Sequence, residues 1–334
     1  MTSETVIKVK RILSDRHYQT WPSWHIVYEW EDEISQILQI PIAKSPNNKY
    51  LKKIEFIDNV LFNGSFLYHY YLLNSKEDYS LYFEMHPKKH KSFSNSKNVI
   101  PIIIDFFDKN NMDRFKKRYA QCPYLCIGSL EVLHFLQEKN VENKLIHFPL
   151  SLPSKYKLNI NDVFDKKYDI VLAGRINAVL WNYLLQYEKQ HPDIEYLYQK
   201  QIHGELFYWS NKKGLIGKFH SRQEYINLIK SAKVSFYATP GIDGGELRTN
   251  GFNPVTPRLF ELLAAGCHII ARYPQNKETE YFQLNSLCPS INSYKEFEKQ
   301  LDNALVEKPP IRKNSLYLEK HYTLNRLDLL KSII

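Results

Sequence analysis

Short apolar runs alternate with stretches of helical period along the whole chain. In the first half, DYSLYFEM from Asp78, VIPIII (99–104), YLCIG (124–128) and KLIHFPL (144–150) have the length and apolar continuity of buried strands. A helical pattern follows the third of them: Ser129 is placed as a cap, and Leu130, Leu133 and Phe135–Leu136 fall on one side. Buried strands alternating with helices predict a parallel α/β sheet.

The second half reads more clearly. YDIVLAG (168–174) is a strand ending in glycine, followed by a helix around Ala178–Lys189 and a strand, IEYLYQK (194–200). SRQEYINLIKSAK opens as a capping box through Ser221 and Glu224, and Tyr225, Leu228, Ile229 and Ala232 then share a face. VSFYATP (234–240) and CHIIARY (267–273) read as strands. TPRLFELLAAG (256–266) between them has proline at the first helical position and glycine just past the end. SYKEFEKQLDNALV (293–306) repeats the capping box through Ser293 and Glu296, and a helix around Leu316–Ile334 closes the chain.

The length of 334 residues exceeds the roughly 250–300 at which single cores stop growing. The polar, aperiodic segment 153–167 reads as a linker. The expected organisation is an acceptor-side α/β domain over 1–152, the linker, a second α/β domain over 168–315, and a terminal helix over 316–334 that packs back on the first domain. Two such domains in series predict a cleft, with ligands beyond the carboxyl ends of the strands.

Composition narrows the partners. Hydrophobic residues at 43% and charged residues at 24% are ordinary for a soluble globular protein. The formal charge of +9 fits an anionic partner, including a peripheral contact with an anionic membrane, or a surface of solvated lysines. HPKKHK (86–91) is the densest basic patch. The lysines are otherwise scattered rather than interleaved with aromatics, which argues against nucleic acid. No G-x-G-x-x-G follows a strand, which argues against a dinucleotide oxidoreductase. Cys122 and Cys126 lack the second pair or histidines of a zinc set, and the four cysteines fit a reducing cytoplasm. The N-terminus is polar, and the run Val99–Phe107 is interrupted by Pro101 and Asp105 and too short to span a bilayer.

Candidate chemistry concentrates between Thr239 and Arg272. The loop from Thr239 to Pro254 holds four of the eleven glycines and follows a buried strand, the setting of a ligand-covering loop. Thr256 and Pro257 then start a helix whose free N–H groups and positive dipole end attract anions. Arg258 in its first turn is disfavoured by that dipole unless it meets an anion, and Glu261 lies one turn on. Together they make a coherent nucleotide-diphosphate site, with Glu261 accepting from ribose hydroxyls. The plainer alternative is a surface pair between Arg258 and Glu261.

YDIVLAGR, SRQEYINLIKSAKVSFYATP and NPVTPRLFELLAAGCHIIARYP together resemble the donor domain of GT-B glycosyltransferases, in the bacterial family 1/4-like group with a P-R-x-F-E-x-x-A-x-G-C helix. The resemblance implies two Rossmann-like domains facing across a cleft. It implies transfer of a sugar from a nucleotide-sugar substrate to a glycan or lipid-linked acceptor, in bacterial surface polysaccharide or lipopolysaccharide synthesis at the inner face of the membrane. It assigns the donor ribose to Glu261, the diphosphate to Arg258 and the Thr256 helix start, the phosphate-approaching turn to Gly174–Arg175, and the nucleobase to Phe219–His220. Retaining members carry a glutamate where this chain has Asn253, so inversion and retention both stay open. A catalytically inactive GT-B-like nucleotide- or glycan-binding protein is the alternative.

Arg175, Arg258 and helix N–H groups suffice to stabilise a leaving diphosphate, so no metal and no cofactor is expected. The acidic run Glu31-Asp32-Glu33 reads as a helix start rather than a metal site. An inverting transfer needs a general base. His17, beside Tyr18, Trp21 and Trp24, and Asp105, at the end of an apolar strand, are the catalytic candidates; His25, Glu84 and His86 are further ones.

Overall fold

A computed structural model describes residues 8–46, 78–87, 95–106, 108–219 and 221–331, with positions 53, 56, 57, 60 and 61. The chain divides into two compact units: Met1–Ser154 with Arg248–Asn250 and Thr323–Ile334, and Lys155–Leu247 with Gly251–Tyr322.

The first unit holds strands β1 (Lys8–Ser14), β2 (Ile42–Lys44), β3 (Asp78–Glu84), β4 (Val99–Ile103), β5 (Tyr124–Ile127) and β6 (Lys144–His147), with helices α1 (His25–Leu38), α2 (Met112–Tyr119) and α3 (Leu130–Glu138). The sheet order is β2-β1-β3-β4-β5-β6, and every pairing is parallel. Pro101 sits inside this sheet, where a missing N–H normally excludes proline. It is tolerated because β5 pairs with β4 only at Ile102 and Ile103. Val27, Trp30 and Ile34 of α1 close over Ile12, Leu81, Phe83, Ile100 and Ile102. Each such fully buried side chain contributes about 1.5–3 kcal/mol. Ser129 caps α3 by accepting from Val132 N–H, as its position predicts.

The second unit holds β7 (Tyr168–Val171), α4 (Ala178–Gln190), β8 (Tyr196–Ile202), β9 (Glu205–Ser210), β10 (Gly214–Gly217), α5 (Arg222–Lys230), β11 (Ala232–Ala238), α6 (Pro257–Ala264) and β12 (His268–Arg272). Short α7 (Lys277–Tyr281) and α8 (Leu284–Leu287) precede α9 (Tyr294–Val306) and α10 (Ile311–Leu318). The order is β10-β9-β8-β7-β11-β12. β9 runs antiparallel to both β8 and β10, and the hairpins they form extend one edge of an otherwise parallel sheet. The turn from β8 to β9 puts His203 and Gly204 both at positive φ, which matches a two-residue hairpin.

Gly266 ends α6 at φ +64°. A side chain there would press into Ile311 and Phe164, so only glycine both turns the chain and admits Phe164 from the 153–167 segment.

Three local expectations need correction. The segment 316–334 is not one helix. α10 stops at Leu318, a 3₁₀ turn covers Thr323–Arg326, and α11 (Leu327–Lys331) follows. The Thr323 N–H leaves the helical ladder to donate to Leu152 O at 2.9 Å, and its hydroxyl meets Ser151 Oγ at 3.1 Å. Thr256 stands at the N-cap of α6, but its side chain caps nothing; its N–H donates to Tyr237 Oη at 3.0 Å. The complete reciprocal capping box is at Asn276–Thr279, whereas Ser221 and Ser293 each accept from the third residue of their helices.

Candidate functional site

In the second unit the chain moves from β7 to one side through β8, and to the other through β11 and β12. The strand order therefore reverses between β7 and β11, and open α/β sheets bind ligands beyond the carboxyl ends at such a point. Two loops leave there: the turn Gly174–Asn177 after β7, and the stretch 239–256 after β11.

Gly174 has φ +75°, and the Arg258 guanidinium lies directly on its backbone. A methyl group at Gly174 would overlap Nη2 and Cζ and stand 2.9 Å from Nη1. Arg258 is half-buried, and no described residue hydrogen-bonds or ion-pairs with its side chain. Its charge is felt nearby: burial raises the Tyr208 hydroxyl pKa, Arg258 pulls it down, and Glu261 pushes it up.

Glu261 does not pair with Arg258. Its Oε1 accepts from Arg222 Nη2 at 2.6 Å and its Oε2 from Tyr225 Oη at 3.0 Å, both from α5. The carboxylate is buried, at 6% exposure, yet a carboxylate offers about four lone-pair sites, so it is oriented without being saturated. The surface-pair alternative is thereby removed: the cationic partner of Glu261 is Arg222, and no described residue pairs with Arg258.

The antiparallel extension adds residues that sequence reading left out. Gln199 Nε2 donates to Tyr208 Oη at 2.7 Å, and the Phe219 ring meets Tyr208 edge-on at 4.9 Å. The His203–Gly204 turn between apolar runs is the sequence signal that finds this hairpin. Arg222 and Tyr225 lie three apart within α5, but nothing local points them at Glu261. His220, expected beside Phe219, lies outside the described residues.

The long loop is fastened. Arg272 holds Asp243 through two hydrogen bonds of 2.6 and 2.7 Å, and Asn177 Nδ2 donates to the same carboxylate at 2.9 Å. The Arg272 hydrogen bond, and then Asn177, keep the Asp243 pKa below its ordinary value. Asn177 also caps α4 by accepting from Val179 and Leu180 N–H, so one side chain joins the loop to a helix start. Arg175 pairs with Glu246 at 3.2 Å. Asn253 is buried; its Oδ1 accepts from the Thr239 hydroxyl at 2.8 Å and its Nδ2 donates to Gly251 O at 2.8 Å. Position 253 is therefore a neutral amide engaged in holding its own loop.

In the first unit the order reverses between β1 and β3. His17 lies in the exposed turn after β1, and His86 is exposed just beyond β3. Asp15, which sequence reading passed over, is buried there and accepts from Tyr82 Oη at 2.9 Å. Asp105 follows β4, one strand from the reversal, with its N–H donating to Met85 O. Glu84 is buried and accepts from Tyr119 Oη at 2.9 Å, and His25 starts α1. The acidic run is not a helix start but lies in the middle of α1, and it points two ways: Arg16 pairs with Glu31 and Asp32, whereas Glu33 accepts from the Ser154 backbone N–H and hydroxyl. Among the described residues, no group of three or more His, Cys, Asp or Glu is gathered to hold a metal, and no helix is long and apolar enough to cross a membrane.

The family model described as glycosyl transferase-like matches residues 183–324, which include the helices carrying Arg222, Tyr225, Arg258 and Glu261. No curated protein matches the sequence. Among solved structures, the N-terminal domain of Candida albicans trehalose-6-phosphate phosphatase aligns with a TM-score of 0.59 at 8% identity, covering 98% of this chain and 97% of that one. The lipopolysaccharide outer core galactosyltransferase WaaB in its apo form aligns at 0.51 with 10% identity, covering 98% and 100%. The pneumococcal O-GlcNAc transferase GtfA, in complex with UDP and GlcNAc, gives 0.43 at 12% identity; the match spans 77% of this chain and 52% of that one. The chain has an α/β fold of the kind seen in GT-B glycosyltransferases such as WaaB, and its residues 183–324 match the glycosyl transferase-like family model.

Proposed function

We propose that the chain is a glycosyltransferase that takes a sugar from a nucleotide-sugar donor, bound in the second unit, to a glycan or lipid-linked acceptor. The observation that carries this reading is the half-buried Arg258 guanidinium, without a protein counter-ion among the described residues, laid on Gly174 at the strand-order reversal. Breaking the sugar–phosphate bond leaves charge on a diphosphate. A guanidinium beside that charge stabilises the transition state. Arg175 and the start of α6 add to this field, so metal-independent transfer is part of the proposal. Glu261, oriented by Arg222 and Tyr225, accepts from ribose hydroxyls, and Tyr208 and Phe219 wall the nucleobase. On the acceptor side His17 serves as general base, with Asp105 as the second candidate. A role in bacterial surface polysaccharide synthesis, in the cytoplasm at an anionic membrane face, extends the same reading.

A thermal-shift screen against UDP, GDP, CMP, ADP and dTDP tests it. One nucleotide is expected to stabilise the protein, and adding a divalent metal is expected to leave that shift unchanged. Absence of any stabilisation argues for the catalytically inactive scaffold.

A further inference from the structure

Far from Arg258 in sequence, α2 carries a pair of arginines that the donor reading does not use. Arg114 and Arg118 stand one turn apart and converge on one carboxylate, Asp108, at the carboxyl end of β4. Arg118 is 1% exposed, and only its Nη1 is engaged, with Asp108 Oδ2 at 3.2 Å. Its Nε and Nη2 are buried without a hydrogen-bond partner, and so is the Nε of Arg114. The Arg114 side chain reaches the surface at 40% exposure, so the pair leads from solvent inward. Buried guanidinium nitrogens left unmet are rare in native proteins and call for water or an ion. Two positive groups share one negative one, and the nearby acid Glu84 takes the Tyr119 hydroxyl. The unmet atoms of Arg114 and Arg118 are donors, which suits an acceptor-only oxyanion, and guanidinium forks match phosphate geometry; Glu84 Oε1, beside the oxygen that takes the Tyr119 hydroxyl, has no hydrogen bond either.

We infer that Arg114 and Arg118, set by Asp108, form a phosphate-binding subsite in the first unit, beyond the carboxyl end of β4. The ligand is a phosphate oxyanion, free or carried by the acceptor. Only the acceptor assignment rests on the proposed glycosyl transfer; the subsite itself stands on the buried donors.

The test is a calorimetric titration of the full chain with inorganic phosphate, at ionic strength held constant with chloride. Two classes of site are expected. Arg258→Ala removes the class in the second unit. Arg114→Gln and Arg118→Lys each weaken the other class about tenfold or more, the loss expected for one charge-assisted hydrogen bond. A second class missing from the wild type, or unchanged in Arg114→Gln, overturns the subsite and leaves buried water as the occupant. Arg114→Gln alters a part-exposed side chain, so it decides the matter even if Arg118→Lys fails to fold. Absence of the Arg258-dependent class from the wild type counts against the donor reading instead. Retention on phosphatidylcholine vesicles that requires an added prenyl phosphate and Arg114 assigns the phosphate to a lipid-linked acceptor. Soluble binding without retention assigns it to a free phosphate.

Discussion

Gly174→Ala separates the fold from the chemistry. The new methyl group meets Arg258 at the far end of a flexible side chain, so the guanidinium can swing aside. The unavoidable cost is the backbone, since φ +75° costs an L-residue about 1–2 kcal/mol. Stability is therefore expected to fall by about that amount, whichever residue stands at 258. Nucleotide affinity behaves differently. Displacing the guanidinium forfeits a charge-assisted hydrogen bond to phosphate, worth about 1.5–3 kcal/mol, or roughly ten- to a hundredfold in Kd. In an Arg258→Ala background there is nothing to displace, so Gly174→Ala should then leave Kd nearly unchanged. Calorimetry with nucleoside diphosphate on the four proteins of the double-mutant cycle reads this coupling, and chemical denaturation reads stability. Additive effects on binding refute the claim that Gly174 acts by seating Arg258.

Three further outcomes follow from the same contacts. Burial, opposed by Ser14 and Arg16, raises Glu31 to about 7, and burial with Arg326 and His134 lowers His147 to about 4. The folded state thus holds an extra proton on Glu31 between its ordinary value and about 7, and stability from it is lost as pH rises. It lacks a proton on His147 between about 4 and the ordinary 6.5, and stability from it is lost as pH falls. Each is worth up to ~3 kcal/mol, so the two slopes nearly cancel between pH 4.5 and 6.5. Glu31→Gln should reveal stability rising with pH in denaturant titrations, and a profile as flat as the wild type refutes the Glu31 assignment. Asp243→Ala removes the grip of Arg272 and Asn177 on the long loop; limited proteolysis should then cut within 239–253 faster, and an unchanged cutting rate counts against the latch. Glu261→Ala should cost donor affinity, and because it leaves Arg222 without its buried partner, about 3–5 kcal/mol of stability as well; Glu261→Gln, which keeps the shape, should lose less of both.

The sequence carried the elements whose causes are local. β7, β11 and β12 each carry a short apolar stretch, Ile170–Val171, Phe236–Ala238 and Ile269–Ala271, and α6 has its proline and glycine at the ends where helices want them. Ser129 and Ser221 cap as their positions predict. What stayed hidden depended on distant partners. β1 reads Lys-Val-Lys-Arg-Ile-Leu-Ser, too charged to look like a strand between two others. It is one because Ile12 and Leu13 are buried between β2 and β3 while Arg11 reaches Ser80 Oγ. The spacing of Arg258 and Glu261 suggested a local pair. Arg222, 39 residues away in sequence, takes the carboxylate instead, and that contact is what leaves Arg258 open. Likewise Asn253 was legible as a missing glutamate, but its use as a loop staple depends on Thr239 and Gly251.

The most direct test of the donor-site account is a calorimetric titration of the stabilising nucleoside diphosphate into wild type, Arg258→Ala and Glu261→Gln. The account predicts an Arg258-dependent site, weakened roughly tenfold or more by Arg258→Ala and also weakened by Glu261→Gln. Equal affinity in all three proteins would contradict it.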